Sequence, residues 1–270
     1  MKKLNRTILT ISILFLLLSS CISYSSSVSS PKLYVALTFD YEDLYLNDNG
    51  TANMPEILKI LEKHNATATF FVLGKTAKLH EDVIKELKAR GYSIGVHTYF
   101  HNMPVFNKRD ALLIDKIYHV NNTWERSFKN SQAFLVDLQR CLNETKLMPM
   151  FRSPCLAVNW ISNKEEYFET LEKAGIIIDS SLYQEDKPFY YVGKVIEVPV
   201  TMSEDKFEHK KIAEKIENCT NKNLPLVIVM HPQKLSLRNF DRFLDFLEAN
   251  YNVAYIKIEK VPIIYGNSSN

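Results

Sequence analysis

Two histidines four positions apart, His97 and His101 in "GVHTYFHN" (residues 95–102), have the type and spacing of a pair of metal ligands. Alone the pair is a weak signal, since two loop histidines read the same way. Other chemically useful residues stand where short apolar runs end: Asp40 after "LYVALTF", Arg152 in "FRSP", Asp179 closing "IIID" and His231 after "LVIVM". A carboxylate and an imidazole can act as general base and acid, and a guanidinium can hold a carboxylate in place. Any one of them reads equally well as a turn or cap residue. With His97, which follows "YSIGV" (residues 92–96), five run ends carry catalytic residue types, which is harder to explain that way.

The runs themselves say where these residues meet. Residues 33–39, 67–73, 92–96, 149–151, 176–179, 195–200, 224–230 and 253–258 are short, apolar and rich in β-formers, as buried strands are. Between them lie amphipathic helical segments at 55–64, 81–91, 164–175, 210–218 and 237–250, several closed by glycine or asparagine. Residues 108–146 read as long and mostly helical. Strands alternating with helices give parallel β/α units. The expected fold class is α/β, a distorted (β/α)7-type barrel forming a single domain over residues 32–262, with a doubly wound sheet as the alternative. In a barrel of this kind the C-terminal strand ends share one rim, where active sites form.

The order of these motifs resembles the polysaccharide deacetylases of carbohydrate esterase family four, the nodulation-type deacetylase domain. "LTFDYED" (residues 37–43) resembles the family's Thr-Phe-Asp-Asp-Gly motif, "HTYFH" its His-Ser/Thr-x-x-His motif, "FRSP" its Arg-x-Pro motif and "VIVMHP" its terminal histidine motif. The resemblance runs over about residues 33–258. It implies one divalent metal ion, zinc foremost, bound by His97 and His101 with a carboxylate. It implies Asp40 as the catalytic base, Arg152 as the residue orienting that base, and His231 as the general acid. Asp179 falls roughly where the family keeps an acidic partner for the histidine.

The chain departs from the family at the position after the base, where the metal-binding aspartate is replaced by Tyr41. A phenol, with a pKa near 10, is a poor ligand for a hard cation. Glu42 and Asp43 follow at once. Glu42 is the expected replacement, with Asp43 second. A site that has lost its metal is the bland alternative.

A basic start, an apolar stretch at residues 8–18 and "LSSC" resemble a lipoprotein signal. Residues 1–20 are then a signal peptide, Cys21 the lipidated residue, residues 21–31 a serine-rich tether and residues 263–270 a polar tail. That predicts an extracytoplasmic, membrane-anchored protein of the cell envelope. Cys141, Cys155 and Cys219 form no Cys-x-x-Cys pair, so a cysteine zinc site is not suggested. A formal charge of +2 over 270 residues gives no pull toward nucleic acid, and only seven glycines leave no phosphate cradle. The expected function is a metal-dependent hydrolase removing N-acetyl groups from amino sugars of an extracellular or cell-wall polymer, with the polymer or an amino-sugar oligomer as partner. Rival readings are an amidohydrolase of the same superfamily acting on a small cyclic amide and an inactive lipid-anchored carbohydrate-binding protein.

Overall fold

The computed structural model describes residues 32–43, 50–204 and 209–266. The expected signal peptide, Cys21 and the serine-rich tether lie outside the described residues. Among those described, no helix is long and apolar enough to cross a membrane.

The centre is a strand, β1 (Leu33–Tyr41), flanked by β2 (Ala68–Val72) and, on its other edge, by the strand Leu226–Met230. Beyond β2 the sheet continues through β3 (Ser93–Val96), β4 (Met150–Phe151) and β5 (Ile178–Asp179) to β7 (Val195–Glu197), whose other edge carries the antiparallel strand β6 (Tyr190–Val192). Beyond the far edge lies β8 (Met202–Ser203), which pairs with Leu226–Met230, here β9. All neighbours except β6 and β7 run parallel.

β7 and β8 are two ends of one extended segment. Its early amides bond to the β5 side, Ile196 N to Ile177 O and Val198 N to Asp179 O, followed by Val200 N to Leu182 O. Thr201 N then bonds to Val227 O beside β9. The segment therefore sits between β5 and β9 and closes the sheet. The ring is β1, β2, β3, β4, β5, β7–β8 and β9, seven staves, which is the expected barrel and excludes an open sheet. β10 (Val253–Tyr255) lies outside the ring, pairing with the start of β1.

Side-chain parity on β1 decides what faces what. Phe39 points outward, stacked on Phe70 at 4.9 Å and edge-on to Phe240. Tyr41 follows it outward, its hydroxyl bonded to Thr51 at 2.5 Å. Thr38 and Asp40 face inward. Helix α1 (Gly50–Lys63) starts earlier than the pattern predicts, so Pro55 lies inside it. Its start is tied down by Asp43, whose Oδ1 accepts from Thr51 N at 3.1 Å. The stretch expected to be mostly helical holds two helices, α4 (Lys108–Tyr118) and α5 (Ser131–Thr145), after the short α2 (Gly74–Leu79) and α3 (Glu81–Ala89). His119, at φ 55°, ends the first, and Asn130 caps the second by accepting from Ala133 N at 2.8 Å. The intervening loop bridges back to the rim through Met103 and Ser127.

One glycine is required by packing. A Cβ on Gly95 of β3 would lie 2.8 Å from the carbonyl oxygen of Met150. At the C-terminus the domain extends past the expected boundary at residue 262. The short helix Val261–Gly266 buries Tyr265, so residues 263–266 belong to the fold and not to a polar tail. Cys141, Cys155 and Cys219 are all free thiols.

Candidate metal and hydrolytic centre

The parity that sends Tyr41 outward returns the next residue to the inside. Glu42 sits just past β1 on the same face as Asp40, 4% exposed. Its Oε1 lies 3.1 Å from His97 Nε2 and 3.0 Å from His101 Nε2. Gln233 donates to its Oε2 at 3.2 Å. The expected replacement ligand is therefore brought to both histidines. Asp43, the second candidate, is not. Its carboxylate is engaged by Thr51 and by His80 Nε2 at 2.5 Å, on the α1 side.

The histidine loop is held in an uncommon conformation. Thr98 and His101 both have positive φ, 61° and 65°, a region that is unfavourable for side chains of this kind and is often tolerated at functional sites. His97 hangs from the end of β3 and is fully buried. Its Nδ1 lies 2.8 Å from the carbonyl oxygen of Arg152, which can only accept. Nδ1 therefore carries a proton, which leaves Nε2 as the atom that would be offered to a metal ion. That is the usual support for a metal-ligating histidine.

Glu42, His97 and His101 offer three ligand atoms within 4.8 Å of one another, and Asp40, Glu42 and His231 form an adjoining group by the same measure. Two imidazoles and a carboxylate match the donor set of a hydrolytic zinc site that keeps open positions. Burial by itself would raise the Glu42 carboxyl, but the His101 and His97 imidazoles hold it well below its usual range. The residues present thus fit a divalent cation.

Arg152 is fully buried behind the rim. Its guanidinium donates to Asp40 at 3.4 Å, to Thr38 at 3.1 Å and to Ser180 at 2.9 Å, and lies 4.6 Å from the Phe71 ring centre. Opposite, His231 follows β9 and stands 3.7 Å from Glu42. Burial opposes its protonation, but the Glu204 hydrogen bond, with the charges of Asp40, Glu42 and Glu204, raises it to about 9.

One expectation needs correcting. Asp179 does not accompany His231. The partner at His231 Nδ1 is Glu204, at 2.6 Å. Asp179 is one register position across from Glu197 and faces the helix layer, not the barrel interior. It accepts from Tyr167 at 2.8 Å and from Ser181 at 2.5 Å, where Tyr167 belongs to α6 (Lys164–Ala174). Ser180, the next residue, takes the inward position against Arg152. Burial raises both Asp179 and Glu197 above the usual carboxyl range. The strand expected over residues 195–200 runs on, and Glu204 has no signal of its own in the sequence. Extended through Ser203, the run ends at Glu204 on the same rim.

A cavity of about 350 Å³ opens over the centre, walled by Asp40, Glu42, His101 and His231 within and by Tyr118, Arg126, Tyr183 and Lys234 further out. Trp160 stands behind this wall, donating to the Tyr118 hydroxyl at 3.2 Å, and Trp124 packs against the core.

Residues 27–145 match the family model described as polysaccharide deacetylase. The chain is similar to a peptidoglycan-N-acetylglucosamine deacetylase of Bacillus cereus, 41% identical over 80 residues, covering 29% of this chain and 27% of the relative. It is also similar to the peptidoglycan-N-acetylmuramic acid deacetylase PdaA of Bacillus subtilis, 37% identical over 81 residues, covering 29% and 30%. The chain thus spans less than a third of the length of these curated relatives. A solved structure from Mycobacterium smegmatis, assigned to the polysaccharide deacetylases, shares the fold with a TM-score of 0.64 at 19% identity, covering 88% of this chain and 92% of that one.

Proposed function

We propose, for a chain whose residues 27–145 carry the polysaccharide deacetylase pattern, that it is a metal-dependent hydrolase releasing acetate from N-acetylated amino sugars of a glycan. The observation that carries this reading is the convergence of Glu42 on His97 and His101 beside Asp40 and His231. The curated relatives act on peptidoglycan by their names, which supports a carbohydrate polymer as substrate.

Glu42, His97 and His101 would hold the cation, which supplies a Lewis acid for the amide carbonyl and makes water more acidic. The chain's own groups do the rest. Asp40 takes the proton from the attacking water, and Arg152 fixes the direction in which its carboxylate points. His231 delivers a proton to the departing amine, for which its raised pKa suits it. Glu204 holds the His231 ring and favours its protonated form. Tyr118 and Tyr183 offer faces against which a sugar can lie. A lipid-anchored position at the cell envelope, from Cys21, agrees with a polymer that lies outside the cell. Zinc is the proposed ion on the mixed nitrogen and oxygen donor set.

The test combines metal content with product. Purified protein offered zinc should retain about one equivalent and release acetate from chito-oligomers or peptidoglycan. Ring opening of a cyclic ureide with no acetate release would transfer the chain to the amidohydrolase reading. Protein that retains no metal and binds glycan without turnover would be the inactive binding protein.

A further inference from the structure

The two oxygens of the Glu42 carboxylate keep different company. Oε1 lies among imidazoles, 3.1 Å from His97, 3.0 Å from His101 and 3.7 Å from His231. Oε2 meets an amide instead, accepting from Gln233 Nε2 at 3.2 Å. A glutamate needs such a hold more than an aspartate does, because it has one more rotatable bond and loses more freedom when it is fixed. Glu42 also stands beyond the last pairing of β1 with β2, Tyr41 with Val72, so no strand ladder holds it.

Gln233 lies on a fixed support. It belongs to the turn after β9, where the amides of Lys234 and Leu235 bond to the His231 carbonyl at 2.9 and 3.0 Å. Pro232 stiffens that turn, and its carbonyl accepts from Asn53 Nδ2 of α1 at 2.8 Å. The backbone therefore sets where the Gln233 side chain starts. A carboxylate only accepts, so the amide nitrogen faces Glu42 and the amide oxygen turns away. That oxygen, Oε1, is buried and meets no hydrogen-bond donor among the described residues. An unmet buried acceptor costs free energy, so an apolar side chain of the same length would pack at least as well. Among the described residues the side-chain amide makes one hydrogen bond, and it goes to Glu42.

We propose that Gln233 is a positioning residue for the metal centre: it anchors Glu42 through Oε2 and so leaves Oε1 as the oxygen offered to the cation together with His97 and His101. This rests on the metal-dependent reading of the site and adds a residue to it. The bond is charge-assisted, from an amide donor to an ionised carboxylate. Groups that orient a metal ligand in this way commonly strengthen metal binding by about 10- to 100-fold. The same contact joins the loop after β1 to the turn that follows His231, so the ligand side and the proton-donating side of the cavity are directly linked.

The experiment compares the unaltered protein with Gln233→Met, which keeps the length of the side chain and removes its amide. Zinc dissociation constants are measured by competition with a chelator, melting temperatures on the metal-free proteins, and visible absorption on cobalt-loaded samples. The variant should bind zinc about tenfold more weakly, with a melting temperature at or above that of the unaltered protein. Its cobalt spectrum should change, because a carboxylate released at Oε2 meets the ion in a different way. In a Glu42→Ala background the same substitution should alter zinc affinity by no more than about twofold, since the residue it acts through is gone. Equal zinc affinity with an unchanged cobalt spectrum overturns the proposal, and so does a full tenfold effect that persists in the Glu42→Ala background. If the unaltered protein retains no zinc, the metal-dependent reading fails and the proposal falls with it. If it retains zinc and Gln233→Met binds zinc equally well, the proposal alone falls. Should Gln233→Met not fold, Gln233→Asn, whose shorter arm withdraws the amide from Glu42, carries the same expectation for zinc affinity.

Discussion

Two pairs of carboxylates are buried on opposite faces of the same sheet, and they are used in opposite ways. On the inner face Asp40 and Glu42 meet a guanidinium and two imidazoles and border a cavity. On the outer face Asp179 and Glu197 meet each other, hydroxyl groups and backbone amides, and are sealed under α6. Glu197 accepts from Leu182 N at 2.8 Å and Ser181 N at 3.1 Å. Glu42 is held in its charged form, whereas the outer pair is pushed toward keeping a proton. Burial is nearly the same in both, so burial does not decide. The partners differ: the imidazoles beside Glu42 offset the cost of burial, whereas the hydroxyls, amides and second carboxylate around the outer pair leave burial dominant. The inner pair can exchange protons with an occupant of the cavity. The outer pair fixes the loop that carries Ser180 and Tyr183.

The contrast is tested most severely at Asp40. Replacing it by Asn keeps the shape and removes the base, so turnover should fall by about 10²- to 10⁴-fold while bound metal stays near one equivalent. Retained turnover would deprive the inner pair of its chemical role. Glu42→Ala should lower metal affinity by about 100-fold or more, whereas Asp43→Ala should leave metal content unchanged, measured by equilibrium dialysis. The reverse pattern would move the ligand onto the α1 side. Glu204→Gln tests the partner of His231. Losing the carboxylate lowers the imidazole pKa, so the alkaline limb of the kcat/KM profile should move to lower pH, with a loss of about tenfold above it. An unmoved limb would leave Glu204 as packing alone.

The smallest effect belongs to the outer pair. Its folded carboxyls titrate above the unfolded values near 4, so the folded protein holds the extra proton. Stability should then decline as pH rises from about 4 through the raised folded range. Glu197→Gln keeps an acceptor for Ser181 N and Leu182 N and removes one titration. Its melting temperature should show a flatter decline with pH, by an amount equivalent to about 1 kcal/mol. Parallel curves for the two proteins would show that no proton is shared.

Much of this arrangement was legible in the residues. The apolar runs placed Asp40, His97, Arg152 and His231 at strand ends, and parallel strands bring their ends to one rim. The choice of Glu42 over Asp43 follows physically from alternation along β1, because Tyr41 turns outward and the next residue turns back. The same alternation, applied to β5, would have sent Asp179 outward with Glu197 instead of toward His231. It was hard to apply there because β5 is two residues long and its phase is set by pairing with β4 and β7. Arg126 gave no sequence signal. It lies in the loop between α4 and α5, inside a stretch expected to be mostly helical, and the pairing of that loop with Met103 brings it to His101.

The amino-acid sequence by itself determined the β/α alternation, the rim and the residue types that stand on it, since apolar periodicity and strand ends are local properties. Tertiary structure alone decided which carboxylates meet cations and which meet each other. That outcome depends on strand register, on the phase of short strands and on where distant loops return, and none of these is written in the neighbourhood of the residues concerned.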